Sequence, residues 1–152
     1  MGKTNILSAL FIVALNTNSV FAAKVNPELP DYKSIKVALT TGQSVSVVTD
    51  FSKCKGDHPG TAIGGLHIAS FLIMNNSHNR NEYITFSDYH QRLKNTDNLP
   101  QVEFIDYKVT TDNNASLNMR LFPFSEQTPH EPRNSVTCPV GKGIKFYLIS
   151  WH

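Results

Sequence analysis

Gln101–Thr111 (QVEFIDYKVTT), Asp112-Asn113-Asn114 and Ala115–Phe124 (ASLNMRLFPF) follow one another in the chain, and their pattern decides the fold class. In the first run Glu103, Ile105, Tyr107 and Val109 fall on one face. A repeat of two residues is that of a strand with its two sides in different surroundings. The Asp-Asn-Asn cluster suits a tight turn. The run after it reads as the antiparallel partner, so the three segments make a hairpin.

The flanking sequence continues in the same style. Upstream, Glu82–Leu93 (EYITFSDYHQRL) reads as a strand with Ile84 and Phe86 on one face. Polar turns at 75–81 (NNSHNRN) and 94–100 (KNTDNLP) bound it. Leu66–Met74 (LHIASFLIM) is almost entirely apolar and reads as a central strand buried on both faces. Gln43–Phe51 (QSVSVVTDF) sets Val45 and Val47 against Ser44 and Ser46, as a half-buried strand does. Val136–Val140 and Ile144–Trp151 (IKFYLISW) read as closing strands around Gly141-Lys142-Gly143. Residues 23–30 read as an irregular lead-in, and 52–64 and 125–134 as loops. Only Asp31–Thr41 (DYKSIKVALTT) has helical spacing, with apolar residues at 32, 35, 38 and 39, Asp31 as cap and Gly42 as stop. The result is a mainly β chain of about seven strands with one N-terminal helix. Without βαβ alternation, the expected architecture is a curved antiparallel sheet or a small barrel.

The chain has 152 residues, with 14 Lys+Arg against 12 Asp+Glu and a net charge of +2. This balance excludes a strongly basic nucleic-acid surface. Hydrophobic residues make up 40%, which excludes wholesale disorder. Residues 1–22 read as a secretory signal peptide: Lys3, the apolar run of ten from Ile6 to Leu15, and small residues up to a cleavage point after Ala22. That run is too short to span a bilayer. Residues 23–152 are then one exported domain, periplasmic or secreted and not membrane-spanning. In such a compartment Cys54 and Cys138 are expected to form a disulfide, a pair of buried thiols being the alternative.

Phe86-Ser87-Asp88-Tyr89-His90 holds the residue types of a hydrolase triad. On a strand, however, Asp88 and His90 share a face that Ser87 does not, and a triad needs both hydrogen bonds at once. Asp88 and His90 instead continue the apolar face of Ile84 and Phe86. Polar groups entering apolar surroundings are the makings of a ligand pocket, or of a satisfied structural network. Glu103 and Tyr107 share a face with Ile105 and Val109, where Glu103 is either a surface charge flanking a core stripe or a buried acid that can pair with Arg92, Arg120 or His90. His67, between Leu66 and Ile68, reads as a core histidine or a fifth pocket residue. The six histidines at 58, 67, 78, 90, 130 and 152 have no metal-site spacing, and no cofactor motif is present.

Several segments resemble a known family when taken in order. They are Ala38-Leu39-Thr40-Thr41-Gly42, Val45-Ser46-Val47-Val48-Thr49-Asp50-Phe51-Ser52-Lys53-Cys54, Gly64-Gly65, and Phe86-Ser87-Asp88-Tyr89-His90. Glu103-Phe104-Ile105-Asp106-Tyr107-Lys108-Val109 and Cys138 with Gly141-Lys142-Gly143-Ile144-Lys145-Phe146-Tyr147 complete the set. The chain thereby resembles the VirK family of small exported bacterial proteins. The resemblance implies a periplasmic or secreted protein connected with virulence or host interaction, and it supplies no catalytic residue. The expected function is binding of a small apolar or amphipathic ligand, or of an envelope component, through His67, Asp88, His90, Glu103 and Tyr107. A protein–protein interaction module with Phe122, Phe124 and Trp151 exposed is the alternative, and a hydrolase the third reading.

Overall fold

Asp31 starts the helix for a local reason. Its carboxylate accepts the Ser34 backbone N–H at 2.7 Å, while the Ser34 hydroxyl accepts the Asp31 N–H at 3.3 Å. This reciprocal pairing satisfies donors that every helix start leaves open. In the computed structural model, which describes residues 26–56, 60–75, 81–93, 100–123 and 134–149, the helix α1 covers Tyr32–Thr40. Its buried face is Tyr32, Ile35, Ala38 and Leu39, the apolar positions of the sequence pattern. Gly42, with φ of +75°, takes the left-handed conformation that ends it.

Among the described residues there are ten strands rather than about seven. They are β1 (Glu28–Leu29), β2 (Val45–Asp50), β3 (Lys55–Gly56), β4 (Ile63–His67), β5 (Leu72–Asn75), β6 (Glu82–Leu93), β7 (Pro100–Thr110), β8 (Asn114–Pro123), β9 (Asn134–Pro139) and β10 (Ile144–Leu148). They form two antiparallel sheets, in the orders β1-β10-β2-β4 and β3-β9-β8-β7-β6-β5. Neither sheet closes on itself, so the architecture is the curved-sheet alternative and not a barrel. The long strands β6, β7 and β8 lie close to their predicted spans.

The reading of Leu66–Met74 as one central strand is corrected. The chain leaves the first sheet after His67 and joins the second at Leu72, so β4 and β5 are edge strands of different sheets. Leu72 is 62% exposed and Met74 42%. A continuous apolar run has no alternation, so nothing local says which side is buried or where the run breaks. β1 and β3, of two residues each, were also invisible as strands. They exist only because β10 and β9 offer them an edge. Gly56 in β3 permits that approach, since a Cβ there would lie 2.2 Å from the Ser135 carbonyl oxygen.

The β7–β8 turn and the start of β6 seat the helix. Asn113 sits at φ 62°, a left-handed position that Asn tolerates, and its side-chain oxygen accepts the Tyr32 N–H at 2.8 Å. The Tyr32 hydroxyl donates to Glu82 at 2.8 Å, and Lys36 Nζ reaches both Glu82 oxygens at 2.8 Å. Both anchors lie at one end of the second sheet, where Tyr83 pairs with Thr110. Phe146, Ile35, Ile84 and Leu117 fill the core between the sheets. The Cys54–Cys138 disulfide lies at the start of β3, next to the pairing of Lys55 with Thr137, and so pins that short edge strand to β9 of the second sheet.

The bonds from Lys36 and then Tyr32 hold the Glu82 carboxyl below its ordinary range. A depressed carboxyl stabilises the fold fully above its unfolded value, near pH 4.3, and the contribution is lost as pH falls through the folded value. Glu82→Gln should therefore flatten the loss of stability below about pH 4. Urea titrations of both proteins across the acid range check this, and parallel profiles would assign the pair no role.

Candidate functional site

The site follows from strand alternation. In β6 the residues Ile84, Phe86, Asp88 and His90 share a face, and their partners across β7 are Val109, Tyr107, Ile105 and Glu103. β8 continues the face with Leu117 and Met119 opposite Tyr107 and Ile105, and β9 adds Asn134 opposite Met119. At the helix end this face is apolar and packed. Toward the other end Asp88, His90, Glu103 and Asn134 replace the apolar residues.

There the two sheets enclose a cavity of about 380 Å³. Its floor is the polar end of the second sheet, and its facing wall is Phe51 with the Gly60–Gly65 segment that leads into β4. The volume lies in the range of small-ligand pockets. Four of the five residues singled out by pattern line it: Asp88, His90, Glu103 and Tyr107.

The fifth does not. His67 pairs with Ser46 while Leu66 pairs with the buried Val47, so His67 points to the outer face of the first sheet and is exposed. It is neither a core histidine nor a cavity residue, because its phase along β4 is opposite to that of Leu66. Ser87 is likewise exposed, on the face away from Asp88 and His90, so no Ser-His-Asp triad forms. Phe51, Met119 and Asn134 were missed by pattern. They come from three other parts of the chain, and no local signal marks them. Gly64-Gly65 lies within β4 as part of the wall.

Tyr107 is the buried centre of the lining, 4% exposed, with its ring stacked on Phe86 at a centroid separation of 4.7 Å. Burial, then the charges of Asp88 and Glu103, push its phenol well above the ordinary range, so it stays a neutral hydroxyl. His90 Nε2 lies 2.9 Å from Glu103 Oε2. The histidine side chain is half-exposed at the mouth, while Glu103 is largely covered. Among the described residues no group of three or more His, Cys, Asp or Glu side chains is placed to hold a metal.

On the opposite face of the second sheet Phe104 and Phe122 meet edge to face at 6.5 Å, beside the exposed Tyr89. Phe122 is thus half-buried rather than free-standing. Phe124, Trp151, His58, His78, His130, His152 and the predicted signal peptide lie outside the described residues. No helix among the described residues is long and apolar enough to cross a membrane.

Comparison with known proteins agrees with this architecture. The crystal structure of lpg1832, a VirK family protein from Legionella pneumophila, superposes with a TM-score of 0.67 at 19% identity. The match covers 79% of this chain and 98% of that one. The uncharacterized protein y4wH of Sinorhizobium fredii (strain NBRC 101917 / NGR234) is 26% identical, over 94% of this chain and 97% of its own. The family model described as VirK protein matches residues 28–127, which include β6, β7, β8 and the helix. The chain belongs to the VirK family.

Proposed function

We propose that this chain is an exported, non-enzymatic binding protein that holds a small amphipathic ligand, such as an envelope component, in the cavity between its sheets. The observation that carries this reading is the change of character along one sheet face. Ile84 and Phe86 give way to Asp88 and His90 where the sheets part. A face used only for packing has no use for partly covered polar groups, whose desolvation costs free energy unless they are partnered. Apolar walls with a few convergent polar groups are the usual make-up of a ligand site. Export is supported by the signal-like residues 1–22 and by the disulfide, since such bonds persist in oxidising compartments. A connection with virulence or host contact rests on family membership.

Native mass spectrometry of protein purified from its own exported compartment tests the reading. The expected result is an adduct of small-molecule mass that disappears on denaturation and is reduced by His90→Ala. A clean protein mass, in wild type and variant alike, would count against it.

A second reading, docking to another protein, is favoured by the aromatic outer face. Tyr89 is 69% exposed and Leu93 61% on that side. Such residues are common interface anchors. Tyr89→Ala should abolish capture of an envelope partner that wild type captures. Undiminished capture would remove this face from consideration.

A further inference from the structure

We propose that the ligand of this cavity is a neutral sugar of one or two rings, its hydroxyl rim held by Asp88, Asn134 and Tyr107 and its apolar ring face lying on Ile105 and Met119. The inference rests on the pocket reading above and narrows it to a chemical class. A sugar is amphipathic by geometry, with C–H groups on its ring faces and hydroxyls around its edge.

Three polar side chains without protein partners are the first ground. Asp88, Asn134 and Tyr107 all line the cavity, and no described residue hydrogen-bonds any of the three side chains. Tyr107 carries the most weight, because it is only 4% exposed. Among the described residues no buried side-chain polar atom lacks a partner, so the phenol oxygen opens onto the cavity and is not sealed in packed protein. Glu103 stands outside this set, since it is already engaged by His90 Nε2 at 2.9 Å.

What the three groups can donate and accept is the second ground. A carboxylate only accepts, and a carboxamide does both. The Tyr107 phenol, kept neutral by burial and by the charges of Asp88 and Glu103, has a proton to give. An ammonium offers no acceptor to the Asn134 amide or to the phenol. A ligand carboxylate offers no donor to Asp88 and meets like charge there. No described lining residue is a Lys or Arg that would hold a phosphate. A hydroxyl both donates and accepts, so a neutral polyol serves all three groups together.

Their placement suits a ring. Asp88, Ile105, Met119 and Asn134 form one row across β6, β7, β8 and β9. The polar residues stand at its ends, three strand spacings or roughly 14 Å apart, with the apolar pair between them. Tyr107 lies on the same face, two residues along β7 toward the helix end. The facing wall has glycine at 60, 64 and 65 and alanine at 62, which leaves depth for a ring lying flat. Phe51 adds an aromatic surface, whose negative face attracts the C–H groups of a sugar.

Ligand-observed NMR titrations of the full purified protein test the assignment. The probes are glucose, galactose, mannose, N-acetylglucosamine, maltose and lactose, against cyclohexanol, cyclohexylammonium and cyclohexanecarboxylate. At least one sugar should bind more tightly than all three cyclohexane probes. Tyr107→Phe should weaken that sugar by about threefold to tenfold with the melting temperature unchanged, because the hydroxyl it removes bonds no described protein group. Asp88→Asn should weaken it by about tenfold or more, with a thermal melt confirming that the variant folds. A cyclohexane probe that binds as tightly as the best sugar would overturn the sugar assignment while upholding the pocket. Sugar binding that both variants leave unchanged would place the sugar outside this cavity and overturn the assignment too. Absence of binding by every probe would overturn the pocket reading and this inference with it.

Discussion

Reduction of the Cys54–Cys138 bond should lower the unfolding free energy by about 4–5 kcal/mol on the chain-entropy model of a long loop. The two cysteines are 84 residues apart in sequence, so the cross-link removes a large share of the unfolded chain's freedom. Its position adds a second consequence. Cys54 immediately precedes β3 and Cys138 lies in β9, the strand that β3 pairs with, so the bond pins the short edge strand to the second sheet beside the packed core. The surroundings are built around it: a Cβ at Gly143 would lie 3.2 Å from both Cys54 Sγ and Cys138 Cβ. Guanidinium unfolding of oxidised and reduced protein measures the difference. Coincident midpoints would mean that the reduced unfolded chain is already held compact by other contacts. Replacing both cysteines by alanine should cost at least as much, because Cys138 is fully buried and its packing is lost as well.

Phe146→Ala should cost about 3–5 kcal/mol, the range for truncating a buried aromatic ring. Phe146 is fully buried in β10, between Leu29 of β1 and Val47 of β2. Its ring meets Phe86 of the other sheet edge to face at 6.3 Å. It is thus a bridge between the sheets, and a cavity left there has walls on both sides that cannot readily collapse. Phe146→Leu, which keeps most of the volume, should cost roughly 1–2 kcal/mol. Denaturant titration of both variants reads the two values. A loss below about 1 kcal/mol for the alanine variant would show that the sheets close over the gap. The effect should reach the candidate site, because Phe86 stacks on Tyr107 and Tyr107 lines the cavity. Loosening that stack should weaken ligand retention at temperatures well below the melting point.

The cavity was partly legible beforehand. Asp88 and His90 stood on the same period-two face as Ile84 and Phe86, and Glu103 and Tyr107 on that of Ile105 and Val109. Alternation along a strand is a local property, so it survives without knowledge of the partner. It shows which residues share a side and leaves open what lies across from them. The facing wall of Phe51 and the Gly60–Gly65 segment, and the contributions of Met119 and Asn134, depend on pairing between distant strands.

The same division runs through the fold. The Asp31–Ser34 cap, the β7–β8 turn and the spans of β6, β7 and β8 were readable because each rests on interactions within a few residues. The cysteine pairing was readable from the count alone once export was inferred. The tertiary structure decided the rest: that the strands divide into two open sheets, that 66–74 breaks across both, and that His67 faces outward. An edge strand and a central strand can carry the same apolar residues. Which one a segment becomes depends on the hydrogen-bonding neighbours it finds, and those are set by the whole chain.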